Sequence, residues 1–190
     1  MNQAMTVHDA IFGRCSVRAF QSSPLERSTL QALLAAAVRA PTAMHSEPWQ
    51  FVIVEEVALL KRLSEQARLS FVAETARLHP GRAGLEMFSR PGFDIFYDAP
   101  CLVVICAKVD TPFAAADCWL AAQNLMLQAH AMGLGTCVIG SAVTGLNAPA
   151  TKLELDIPAE TVAIAPVIVG RPRGETPRSA RSEPHVLAWR

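Results

Sequence analysis

Apolar positions recur along this chain with helical spacing in some segments and as short unbroken runs in others. Leu30, Leu33, Leu34, Ala37 and Val38 fall at i, i+3, i+4, i+7 and i+8, the stripe of a helix with one buried face. Just upstream, Ser23, Pro24 and Glu26 fit the N-cap, N1 and N3 positions of a capping box, and Pro41 closes the segment. An earlier helix is predicted from Val7 to about Arg14, with Thr6 as its N-cap. Val57 to Ala67 also reads as helix, with Leu59, Leu60 and Leu63 on one side and Lys61, Arg62 and Glu65 on another. Ala114 to Met132 is apolar nearly all round, which suits the centre of a core or an interface. Gly133 follows it, ready for a left-handed C-terminal turn.

The runs without helical period predict strands. Gln50–Val54, Thr136–Gly140 and Thr161–Val169 are of this kind, and Cys101–Ala107 lacks any alternation, as in a strand buried on both faces. Asn147 with Pro149 predicts a short helix through Leu155. Residues 68–98 are the least regular: Pro-Gly pairs interrupt helical pieces, and Phe88, Phe93, Phe96 and Tyr97 cluster there. They read either as a mobile cover over a pocket or as an irregular insertion. Residues 170–190 form a tail rich in Pro and Arg. The order predicts an α+β sandwich in one domain over residues 1–190, a sheet flanked by helices rather than a doubly wound Rossmann sheet.

Composition adds an interface to this picture. Hydrophobic residues make up 51% of the chain and charged residues 18%, against about 25% charged in ordinary soluble domains. The surplus apolar surface suits a large homomeric contact. Net charge is zero, so no basic field is available for nucleic acid or a membrane surface. The five cysteines form no Cys-x-x-Cys pair, which fits a reducing cytoplasm. The N-terminal residues lack the pattern of a signal peptide, and no apolar run reaches bilayer-spanning length.

Most motif classes are missing. No Gly-x-Gly-x-x-Gly follows a strand into a helix, and there is no Walker sequence or Gly-x-Ser-x-Gly elbow. The five histidines show no metal-ligand spacing. His130 reads as a hydrogen-bonded core histidine, Cys101 and Cys106 as packed thiols, and Asp117 as an answer to its helix dipole. What remains is Arg14-Cys15-Ser16-Val17-Arg18, two guanidinium groups around a small hydroxyl. Alone it reads as a helix end with solvated charges, or as donors for a phosphate and the edge of a polar ring. A rigid loop, Pro41 to Trp49, and a tail with Arg171, Arg173, Arg178 and Arg181 favour the ligand reading. Gly140 would leave backbone N–H groups unobstructed.

These segments together resemble the nitroreductase family of FMN-dependent oxidoreductases. Arg14 to Phe20 is similar to the family's Arg-Arg-Ser-Val-Arg-x-Phe opening, and Ala40 to Phe51 to its Ala-Pro-Ser-x-x-Asn-x-Gln-Pro-Trp-x-Phe loop. Asp117 to Gly140 resembles the central helix and following strand, and Gly170-Arg171-Pro172 with Arg181 the C-terminal segment. The resemblance implies a nitroreductase-like sandwich with a central mixed β-sheet, and an interlocked homodimer with two FMN sites at its interface. It implies that Arg14, Ser16 and Arg181 hold the phosphate and ribityl side and that Arg18 reaches the pyrimidine edge, with Cys15 beside them. Thr42, Met44 and His45 would come from the partner subunit. Ile139, Gly140 and Ser141 would lie against the ring, a backbone N–H facing N5, and Arg178 is a further phosphate candidate. Three positions depart from the pattern: Cys15 for Arg, His45 for Asn and Glu47 for Gln.

The activity implied is electron transfer from NADH or NADPH, by a ping-pong sequence through FMN, to a nitroaromatic, quinone or other small organic acceptor. No protein acid or base is implied as catalytic, because the cofactor carries the chemistry. Two alternatives stand beside it: a specialised flavin enzyme with a narrow natural substrate, and a non-enzymatic protein that binds or sequesters FMN.

Overall fold

A computed structural model describes residues 5–79, 86–108, 111–177 and 180–190. Helix α1 spans Val7–Gly13, and its capping box is complete: Asp9 N–H donates to Thr6 Oγ1, and Thr6 N–H donates to the Asp9 carboxylate. Helix α2 spans Arg27–Ala37 and buries Leu30, Leu33 and Ala37. It begins later than Ser23-Pro24 suggests, with Glu26 as an N-cap that makes no side-chain cap bond. Leu25 is buried in the cluster beneath α2, and the extended chain that carries it there delays the helix.

Strand β1 (Trp49–Val54) leads into helix α3 (Val57–Leu78), which runs eleven residues past its sequence-based end. The extension carries no apolar stripe in the sequence, because its buried residues are Arg68 and Thr75. Strand β2 (Cys101–Lys108), helix α4 (Ala114–Ala131) and strand β3 (Gly135–Val138) follow. Gly133 between α4 and β3 has φ +73°, the left-handed turn expected of it. Helix α5 (Val143–Leu146) was not foreseen, and helix α6 (Pro149–Glu154) starts at Pro149. The N-cap of α6 is Ala148, and Asn147 is instead the C-cap of α5. Its amide bonds to Val143 O and to both backbone groups of Ala163, so it staples α5 to strand β4 (Thr161–Gly170).

The sheet order is β1-β2-β4-β3, antiparallel at every ladder among the described residues. A single parallel bridge, Ser16 to Thr136, lies outside the named strands at the β3 edge. β2 sends Leu102, Val104 and Cys106 into one apolar cluster with α3 and α5, and Cys101, Val103, Ile105 and Ala107 into another with α2 and α4. Helices thus cover both faces of an α+β sandwich. The side of α4 that meets the sheet is mostly small (Ala114, Cys118, Ala121, Ala122, Ala129), so the helix can approach closely. Its other side leaves Trp119 and Leu120 exposed.

Candidate functional site

The segment after α1 is held in place by its backbone. Val17 N–H donates to Thr136 O at 2.9 Å, beside the Ser16–Thr136 bridge. Further on, Gln21 N–H donates to Arg171 O and Arg173 N–H to Ala19 O, both at 2.9 Å, around a bridge between Phe20 and Pro172. The chain from Arg14 to Phe20 is therefore zipped first to β3 and then to the segment after β4. Gly135 makes the first contact close: a Cβ there would stand 2.7 Å from Val17 Cγ2.

The two arginines of this strip open into different cavities. Arg14 and Cys15 line one of about 390 Å³, with His130, Thr136, Gly174 and Thr176. Arg18 lines another of about 320 Å³, with Lys61, Asp94, Tyr97, Asp98 and Arg173. Three residues, Cys15 to Val17, lie between Arg14 and Arg18, so the two positions are at most about 13 Å apart along the chain. Ser16, half-buried, sits between them on the β3 edge. Ile139 is buried just past β3, and Gly140 and Ser141 begin a 3₁₀ turn. A Cβ on Gly140 would meet no described atom within 4 Å, so its backbone is open to approach.

Arg18 is oriented by its neighbours. Its guanidinium carbon lies 5.9 Å from the centre of the Tyr97 ring, a cation–π distance. Tyr97 ends a file of rings through Phe93 and Phe88 to Phe71 of α3, with centroids 5.8, 5.7 and 4.9 Å apart. Residues 86–98 are tied down on α3 beneath this file. The buried Arg68 guanidinium donates to Phe88 O at 2.5 Å and pairs with Glu65, and Ile95 N–H donates to Ser64 Oγ at 2.9 Å. Lys61 bonds both Asp94 and Asp98. Of the segment 68–98, read as a mobile cover or an irregular insertion, 68–78 are the end of α3, 86–98 pack on that helix, and 80–85 lie outside the described residues.

The Pro41–Trp49 loop lies elsewhere. Ala43–His45 form a 3₁₀ turn, and Met44, His45 and Glu47 all have positive φ, of 54°, 54° and 44°. Non-glycine residues held there are strained. Met44 is 89% exposed, and His45 is exposed beside it. The loop is anchored to α4 by Asp117, whose carboxylate accepts from Ala43 N–H and Ser46 Oγ. Asp117 thus does more than answer the helix dipole. His130, near the other end of α4, packs on Gly13 so tightly that a Cβ there would lie 2.6 Å from its Nε2. Asp117 and His130 are about 20 Å apart along the helix. Thr42, Met44 and His45 line neither the Arg14 cavity nor the Arg18 cavity.

In the tail, Gly174 and Thr176 reach the Arg14 cavity. Arg181 is exposed and bonds Ala180 O, and Arg178 lies outside the described residues. Sequence reading missed Tyr97, Arg173 and Thr176 as neighbours of the strip. The aromatic cluster and the basic tail were visible, but nothing in their spacing says that they converge on Arg18 or Arg14. Among the described residues, no three His, Cys, Asp or Glu side chains are grouped to hold a metal ion. No helix among them is long and apolar enough to cross a membrane.

Comparison with known proteins gives this arrangement a family. Residues 11–171 match the profile of the Nitroreductase family. A Methanothermobacter thermautotrophicus protein, provisionally named NADH dehydrogenase/NAD(P)H nitroreductase, is 25% identical over 172 residues, 88% of this chain and 78% of that protein. The 5,6-dimethylbenzimidazole synthase of Rhodospirillum rubrum is 30% identical over 182 residues, 89% of this chain and 83% of the synthase. A Bacteroides fragilis nitroreductase with bound FMN superposes with a TM-score of 0.83 at 26% identity, covering 97% of this chain and 98% of that one. The strip on the β3 edge, the central helix and the loop before β1 all fall inside the matched region, and the chain belongs to the nitroreductase family.

Proposed function

We propose that this chain is an FMN-dependent oxidoreductase that takes electrons from NADH or NADPH and passes them, by a ping-pong sequence, to a small organic acceptor such as a nitroaromatic or quinone. The observation that carries this reading is the Arg14–Arg18 strip. Its backbone, bonded to β3 and to the segment after β4, presents a cation to a different cavity at each end, at most about 13 Å apart along the chain. An elongated ligand with an anionic head and a polar ring suits that spacing. Arg14 and Ser16 would hold the phosphate and ribityl side, with Arg181 and Arg178 from the tail and Cys15 alongside. Arg18, backed by Tyr97, would donate to the ring's pyrimidine edge. Ile139, Gly140 and Ser141 would lie against the ring, with the open Gly140 backbone leaving room for it. When bound, FMN supplies the redox chemistry, and the protein supplies position and charge.

The site is proposed to need two copies of the chain within one domain type spanning residues 1–190. Thr42, Met44 and His45 are anchored about 20 Å along α4 from the end that meets Gly13. A second copy could bring them to the strip. The exposed apolar side chains Phe12 of α1 and Trp119 and Leu120 of α4 offer surface for such a homodimer. The described cysteines are all free thiols, which supports a cytoplasmic location.

Purification of the full chain, its absorbance spectrum and an anaerobic NADH or NADPH titration test the reading. A colourless protein that binds no added FMN refutes it. A second reading, a flavin enzyme with a narrow natural substrate, is favoured by Cys15, His45 and Glu47 and by the benzimidazole synthase among the relatives. Oxidation of the reduced protein by nitrofurans, quinones and oxygen separates the two, since fast turnover with nitrofurans argues against a narrow substrate. If NADH and NADPH leave bound flavin oxidised, the chain is instead a flavin-binding protein.

A further inference from the structure

We propose that Asp117 is a positioning residue for the flavin site, holding the Ala43–Glu47 loop in the conformation that brings Met44 and His45 to the cofactor. The proposal rests on the FMN reading above. Asp117 is 4% exposed, and a carboxylate so buried needs partners. It has the Ala43 N–H, 3.3 Å from each of its oxygens, the Ser46 hydroxyl at 3.4 Å, and the N-terminal turn of α4 behind it. Among the described residues, these are the side-chain hydrogen bonds that tie the loop to the body of the fold.

The loop needs such a tie. Met44, His45 and Glu47 are all in the left-handed region, and strained backbone persists only where its surroundings fix it. Within one chain packing does not fix it, because Met44 is almost fully exposed there. The loop's own contribution is the Ser46 N–H bond to Ala43 O at 3.1 Å. The carboxylate therefore selects one loop conformation out of many. It also links the loop to the helix that carries the exposed Trp119 and Leu120, so loop placement and the proposed subunit contact share one rigid element.

The test uses full-length Asp117→Ala and Asp117→Asn, with FMN affinity measured by flavin fluorescence and the Ala43 amide followed by hydrogen exchange. Asp117→Asn keeps the volume and one acceptor oxygen, so it serves if the alanine variant folds poorly. The expected result is lost protection at Ala43 and an FMN Kd raised roughly tenfold or more in the alanine variant. The same substitution in a chain already carrying Met44→Ala and His45→Ala should add no more than about twofold, because the loop residues through which it acts are gone. Equal effects in both backgrounds would mean a general structural role and overturn the proposal. An unchanged Kd in Asp117→Ala, or in Asp117→Asn where that variant loses protection at Ala43, with a wild type that binds FMN, overturns it while the flavin reading stands. A wild type that binds no FMN overturns both.

Discussion

Asp117 and His130 lie about 20 Å apart on α4, and each touches a different piece of the proposed flavin site. Asp117 holds the Ala43–Ser46 turn, and His130 packs on Gly13, next to the strip that begins at Arg14. One helix thus keeps the two halves of the site apart within a single chain. If the site forms between subunits, two defective chains can complement each other. Arg14→Ala alone should weaken FMN binding by about 1.5–3 kcal/mol, as for a hydrogen bond to a charged group. Mixing it, after partial unfolding and reassembly, with a chain carrying Met44→Ala and His45→Ala should restore tight sites. Isothermal titration of the mixture checks this, and no recovery would argue for a site within one chain.

The β3 edge positions the strip through one close contact. Gly135→Ala would place a Cβ 2.7 to 2.8 Å from three side-chain carbons of Val17, including the fixed Cβ. Rotating Val17 cannot relieve the clash. Stability should fall by about 1–3 kcal/mol, as for overpacking in a filled core. Urea unfolding measures it, and FMN affinity should fall with it because the Ser16–Thr136 bridge is displaced.

Much of the fold was legible because its signals are local. The Thr6 N-cap, the α2 stripe and the unbroken apolar run of β2 each predict their element from a few neighbouring residues. The far half of α3 was not legible, because its buried residues are polar, Arg68 and Thr75, and Arg68 finds its partner about twenty residues away in sequence, at Phe88. The site followed the same division. Arg14, Ser16, Arg18 and Gly140 stand in motifs, whereas Tyr97 and Arg173 reach Arg18 only through the tertiary fold. Asp117 was visible as a first-turn acid, but its partners in the Ala43 loop were not.

The clamp over residues 86–98 should depend on acid. Burial works to raise the pKa of Asp94, but hydrogen bonds from Lys61, Ser64 and the N–H groups of Asp98 and Phe96 outweigh it and hold the carboxyl below its ordinary value. The folded-state value is the lower one. The stabilisation is therefore complete above the unfolded-state pKa of about 3.9 and is lost as pH falls through the folded value. Urea midpoints of wild type should fall more steeply below about pH 5 than those of Asp94→Asn. Parallel curves would remove Asp94 from the account.

The thiols should divide by accessibility. Burial pushes Cys101 and Cys118 up to about 12 and Cys106 up to about 11, and Cys137 is buried as well. Cys15 is half-buried and opens on the Arg14 cavity. A thiol reagent at mildly alkaline pH should modify Cys15 first in the native protein, and all five cysteines after denaturation. Saturating FMN should slow the first reaction. Peptide mapping after brief labelling checks both statements.

The Arg14–Arg18 strip is proposed to belong to a redox-active FMN site. The measurement that bears on it most directly is the flavin absorbance of the purified full-length protein during anaerobic titration with NADH and NADPH. Bound oxidised flavin is expected to bleach on titration with at least one donor and to recover when an acceptor is added. A protein that carries no flavin and takes up none when FMN is supplied would contradict it.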